Sequence, residues 1–206
     1  MSYLSCRPYR RRQLFAFARE ILTARGDGRA FAHVAWLAAA GLVVLLLDPL
    51  QLGWRIVPSL ALFGALAFIG LFDARYFLIP DIPLALLFAA GLLTVLANDP
   101  GATSAHLLAA AGGYGFFFGV AFAYERLRGR AGLGRADFAL FAAAGLWLGV
   151  EGLPTCLFVA VASALLSALA ALRGKTLDDA RQPIPFGPHL ALGLWLVWAI
   201  GPLEAG

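Results

Sequence analysis

Seven stretches of this chain run for 15–20 residues with almost nothing but apolar side chains. They are Ala30–Leu47, Ile56–Phe72, Ile82–Ala97, Ala105–Tyr124, Ala136–Val150, Pro154–Leu172 and Phe186–Leu203. The breaks between them, among them "DARYFLIPD", "NDPGATS" and "ERLRGRAGLGR", gather the Pro, Gly, Asp and Asn that turns require. A helix rises about 1.5 Å per residue, so each stretch approaches the ~30 Å hydrocarbon thickness of a bilayer. In lipid, backbone hydrogen bonds must be satisfied within the protein, which leaves helices and closed barrels. A barrel needs alternating strands of about ten residues, and these stretches do not alternate. Composition agrees: 61% of residues are hydrophobic and 14% charged, against about 45–50% and 25% in soluble domains. The expected fold is all-α, a polytopic membrane bundle of about seven transmembrane helices over residues 30–206, preceded by a basic segment, 1–29.

The net charge of +4 is better explained by topology than by nucleic acid, because the basic residues lie between the apolar stretches. With the N-terminus in the cytoplasm, 15 of the 16 basic residues fall on the cytoplasmic side and only Arg55 falls outside, as the positive-inside rule requires. A wrong helix count would scramble that alternation. The first apolar stretch is long enough to span and lacks a small-residue cleavage site, so a removable signal peptide is not expected. Within 1–29, Leu14, Phe17, Ala18, Ile21 and Leu22 recur at helical spacing beside arginines. Two readings stand there: an amphipathic helix lying on the membrane surface, or a basic arm that only sets orientation.

Cys6 and Cys156 form no CxxC pair, and His33, His106 and His189 are dispersed. No metal site, cofactor site or disulfide framework is expected; the histidines read as interfacial or packing residues. No nucleotide loop, serine triad or haem motif occurs. Of the 12 acidic residues, most sit at solvated ends or in polar loops. Asp73, Asp81 and Asp137 are the exceptions. Asp73 closes a stretch that runs outward to inward, and Asp137 opens one that runs inward to outward, so both reach the cytoplasmic side. Residues 138–150 make only about 20 Å of helix, which draws Asp137 to or below the lipid surface. A carboxylate there is costly and points to function. Two close carboxylates in a poorly solvated site share a proton. The ionised one can take a proton from water while the protonated one polarises a peptide carbonyl. Capping of helix ends is the plainer role for each acid.

Three stretches narrow the choice. "DARYFLIPD" (73–81) resembles the first signature of type IV prepilin peptidases, an aspartate, six variable residues and Pro-Asp. "GLGRADFALFAAAGLWLG" (132–149) resembles the second, GxGxGDxKLxAxxGxxLG, and "PIPFGPHLALG" (183–193) resembles the third. They occur in the family's order. The resemblance implies an intramembrane aspartyl endopeptidase of the bacterial inner membrane. Its partners would be prepilins or pseudopilins, whose basic leader it cuts at the cytoplasmic face, for pilus assembly or type II secretion. Residue by residue, it makes Asp73 and Asp137 the catalytic pair. Gly132 and Gly134 match loop glycines that allow positive φ or close approach of backbone. Pro80 would end one helix and admit the next, with Asp81 as a cap. Pro185, Phe186, Gly187 and Pro188 would shape the approach to the last helix.

Two positions depart from the pattern. Ala136 replaces the glycine before the second aspartate, and Ala139 replaces a lysine. The chain also lacks the paired CxxC insert that accompanies N-methylation in bifunctional members, so peptidase activity without methyl transfer is expected. Two alternatives remain: a non-catalytic relative that binds prepilins, suggested by Ala136 and Ala139, and a small proton-coupled transporter. The latter predicts inverted repeats with broken helices near mid-membrane, and none is found.

Overall fold

In a computed structural model, residues 55–129, 132, 134–173 and 184–203 are described. The basic segment 1–29 and the first apolar stretch, Ala30–Leu47, lie outside the described residues. Among the described residues all regular structure is helical. Five helices follow in order: α1 (Ile56–Tyr76), α2 (Asp81–Asn98), α3 (Thr103–Arg128), α4 (Arg135–Arg173) and α5 (Gly187–Ile200). A 3-10 turn, Pro100–Ala102, joins α2 to α3. Four helical segments are long and apolar enough to cross a membrane, and α5 is a shorter apolar helix.

On α1 the buried residues Leu62, Leu66, Ile69 and Asp73 follow one another at helical spacing. Asp73 therefore lies on the face that α1 turns into the bundle. Leu84, Leu87, Gly91 and Val95 make the equivalent stripe on α2, and Ala109, Gly113 and Phe117 make it on α3. The outward faces are as apolar as the inward ones. Leu86, Leu93, Leu108, Phe116, Phe158 and Leu166 are all exposed, a surface that suits lipid rather than water.

α4 is not one rod. At Gly149 the backbone takes φ 71° and ψ −177°, a region open essentially to glycine, and the chain reverses. In the first arm, residues 135–148, Phe138 packs near Phe117, which in turn meets Phe186 before α5. Trp147, at the arm's other end, meets Trp198 near the end of α5. The second arm, 150–173, runs back: Thr155 accepts from the Leu203 N–H, while Ser163 meets His189 in α5's first turn. The fifth and sixth apolar stretches thus form two arms that run in opposite directions. The break falls at Gly149 rather than at Glu151–Leu153.

α5 lies between α1 and α4, α3 packs along the first arm of α4, and α2 touches both α1 and α4. α5 is buried nearly all round. Its Gly193 faces the Cys156 backbone so closely that a Cβ would overlap the carbonyl oxygen, the small-residue approach typical of helices packed in membranes. The ends of α1 and α3 and the starts of α4 and α5 gather at one end of the bundle. The opposite end holds a cavity of about 290 Å³ lined by Arg55, Trp147, Trp198 and their neighbours.

Candidate active site

Asp73 stands one turn before the end of α1. Its carbonyl oxygen accepts the Phe77 N–H at 2.8 Å, which closes the helix with Phe77 at φ 52°, ψ 40°. A left-handed aromatic residue is uncommon. It turns the chain sharply so that Ile79 and Pro80 are buried and α2 starts beside α1. The Asp73 carboxylate is 6% exposed. Its Oδ2 accepts the Gly187 backbone N–H at 2.9 Å. That N–H is one of the first-turn donors that a helix cannot satisfy internally, and it sits at the positive pole of α5.

Asp137 is the third residue of α4 and is half-buried. Its Oδ2 accepts the Gly134 N–H at 3.2 Å. This is the acidic half of a capping box, in which a first-turn acid reaches back to the residue before the helix. Asp137 is also within electrostatic reach of Asp73. Two carboxylates from separate helices therefore converge, each oriented by a backbone donor at a helix N-terminus.

The remaining motif residues surround this pair. A Cβ added at Gly134 would come 3.0 Å from Asp137 Oδ2, and one at Gly132 would come 2.5 Å from the Tyr124 ring. The second-signature glycines thus leave room for the carboxylate and for an aromatic of α3. Ala136 and Ala139 lie within α4 and pack against the core, so their methyl groups fit a helical backbone without strain. Pro80 is buried and is the residue before α2. Asp81, expected as a cap, is the exposed first residue of α2; the N-cap is Pro80, which supplies no side-chain hydrogen bond. Phe186 is the residue before α5, with its ring 6.3 Å from that of Phe117, and Pro185 is half-buried beside it. Pro188 packs on Gly70, where a Cβ would meet its Cα at 3.4 Å. The sequence assigned the third motif only a shaping role. Its Gly187 also supplies the donor to Asp73, and a Cβ there would lie 2.6 Å from Asp73 Oδ2. A Gly between Phe and Pro is the signal that was visible; its partner, 114 residues away, was not.

Among the described residues no group of three or more His, Cys, Asp and Glu side chains is placed to hold a metal ion. Cys156 is a buried free thiol.

Comparison with known proteins agrees with the motifs. Residues 60–171 match the type IV leader peptidase family. The chain is 38% identical over 141 residues to a prepilin leader peptidase/N-methyltransferase of Dickeya chrysanthemi, covering 66% of this chain and 50% of that protein. A similarly named protein of Xanthomonas campestris pv. campestris is 35% identical over 150 residues, covering 72% of this chain and 52% of the relative. One from Aeromonas salmonicida is 33% identical over 166 residues, covering 79% and 56%. The chain spans about half the length of these curated relatives. No solved structure matches it. The matched region holds both aspartates on a helical framework, and the chain belongs to the type IV leader peptidase family.

Proposed function

We propose that this chain is an intramembrane aspartyl endopeptidase that removes the basic leader of prepilin-like substrates, with Asp73 and Asp137 as its catalytic pair. The observation that carries this reading is the convergence of the two carboxylates from α1 and α4, within electrostatic reach of each other and each fixed by a backbone N–H. One proton shared by the pair gives the two roles peptide hydrolysis needs. The ionised carboxylate takes a proton from water, and the water oxygen attacks the scissile carbonyl. The protonated carboxylate donates to the carbonyl oxygen as it gains charge. Collapse of the tetrahedral intermediate breaks the C–N bond, and the amine leaves with a proton returned from the pair.

The proposal includes orientation. Arg75, Arg126, Arg128 and Arg135 lie at the aspartate end of the bundle and Arg55 at the other, which supports a cytoplasmic site by the positive-inside rule. With Ala30–Leu47 as a further span, the count becomes seven and the N-terminus is cytoplasmic, in a bacterial inner membrane. The substrate in this proposal is a prepilin, as the names of the relatives suggest, with the basic leader and following apolar helix that the motif resemblance implies. We include peptidase activity without methyl transfer in the same proposal.

Incubation of the purified chain with such a substrate and a methyl donor, followed by intact mass, tests both parts, since leader loss and methylation change the mass separately. Asp73→Asn and Asp137→Asn should each abolish cleavage while the protein stays folded. Full activity in either variant ends the reading. Ala136 and Ala139 favour a second reading, a non-catalytic relative that binds prepilins. Binding without processing, with cutting restored by Ala136→Gly, would select it.

A further inference from the structure

His189 is buried, 6% exposed, in the first turn of α5. A polar ring in an apolar bundle must be hydrogen-bonded to be tolerated. Its Nδ1 lies 3.0 Å from Ser163 Oγ, on the second arm of α4. Ser163 Oγ also lies 3.0 Å from the Ala160 carbonyl oxygen, which can only accept. A hydroxyl has a single proton. Given to Ala160, it leaves the Ser163 oxygen to accept from His189 Nδ1–H; given to His189, it makes Nδ1 the acceptor, and in both arrangements one hydrogen bond joins α5 to α4.

The place of this bond gives it a consequence. His189 follows Gly187 by two residues, and the Gly187 N–H holds the Asp73 carboxylate. On the α1 side, the first turn of α5 is seated by Pro188 against Gly70. On the opposite side, His189 ties it to α4. α5 is apolar nearly all round, and apolar contact is non-directional. A hydrogen bond is directional and fixes what such packing leaves loose, the rotation and height of the helix.

We propose that His189, acting through Ser163, is a positioning residue for the peptidase reaction: it aims the Gly187 N–H, and through it the Asp73 carboxylate. The inference rests on the catalytic role proposed for Asp73. His189 itself need touch no substrate.

The test uses the full chain reconstituted in lipid, with a bitopic peptide carrying a basic leader and an apolar helix. His189→Leu removes one partner of the bond, and Ser163→Ala removes the other. His189→Asn restores a hydrogen-bonding group near the Nδ1 position, and Ser163→Thr keeps the hydroxyl. Per folded enzyme, His189→Leu and Ser163→Ala should each lower kcat by ~10-fold or more with KM unchanged, the scale of a small misplacement of a reacting group. His189→Asn and Ser163→Thr should recover most of it. Ser163→Ala deletes one oxygen and carries the test if His189→Leu does not fold. Full kcat in Ser163→Ala overturns the positioning role. So does a fall in yield with kcat per folded enzyme intact, or an Asn variant as slow as the Leu variant. A wild-type chain that leaves the substrate whole overturns the peptidase reading and this inference with it. Wild-type cleavage with an unaffected Ser163→Ala overturns the inference alone.

Discussion

Gly187 is the residue at which sequence and chemistry meet most tightly. A methyl group there would lie 2.6 Å from Asp73 Oδ2 and 2.9 Å from its Cγ, so Gly187→Ala must push the carboxylate off its donor. At Gly134 the added carbon would lie 3.0 Å from Asp137 Oδ2 and 3.8 Å from Cγ, which a small rotation of the side chain relieves. Gly187→Ala should therefore cost cleavage at least ~10-fold, with a much smaller loss for Gly134→Ala, on the scale where misplacement of about 1 Å costs up to ~100-fold. Initial rates of leader removal at matched folded protein check the ranking; equal rates in the two variants contradict it. At this scale the aspartates were legible because a charge in an apolar stretch is conspicuous. The donors were not, because a backbone N–H leaves no mark in a sequence and the contact spans the chain. Phe77 was illegible for another reason: nothing about an aromatic residue announces a positive φ.

Helices α1, α2, α3 and α5 follow from apolar stretches whose ends are marked by Pro, Gly and charge. The sequence puts the break inside α4 at Glu151–Leu153, where Glu151 and Pro154 interrupt the apolar run. The actual reversal uses Gly149, whose backbone geometry only glycine accepts cheaply. Breaking the helix there leaves carbonyls without their usual partners. His106 of α3, half-buried, lies with Nδ1 2.7 Å from the Leu146 carbonyl oxygen, and so caps the first arm from a neighbouring helix. A histidine read from sequence as mere packing thus has a definite partner. Gly149→Ala should destabilise the folded protein by about 1–3 kcal/mol. His106→Phe, which keeps the bulk and strands the carbonyl, should cost about 1–3 kcal/mol. Thermal unfolding in detergent measures both. Because the reversal lies at the end of the bundle away from the aspartates, kcat per folded molecule should hold in each. An unchanged unfolding temperature in both variants would remove the structural role given to this corner.

Among the described residues charge is unevenly placed along the bundle, and the positive-inside rule ties that asymmetry to the orientation proposed above. Arg75, Arg126, Arg128 and Arg135 crowd the aspartate end, and all four are exposed. At the other end Arg55 is drawn into packing. Its guanidinium lies 4.7 Å from the Trp198 ring centroid and donates to the Trp198 carbonyl oxygen at 2.7 Å, while Trp198 donates to Ser59. Arg55 thereby joins α1 to α5, and it counts for less in orientation than an exposed arginine. Single cysteines at Gly101 and Gly129, both exposed and on opposite ends, turn this into a measurement. In a Cys6→Ser background, buried Cys156 should stay silent. A membrane-impermeant maleimide added to intact spheroplasts should label Gly101→Cys at once and Gly129→Cys only after permeabilisation. The reverse pattern would place the aspartates on the outer face, where a leader held in the cytoplasm could not reach them. The proposed reaction would then fail however well the two carboxylates are arranged.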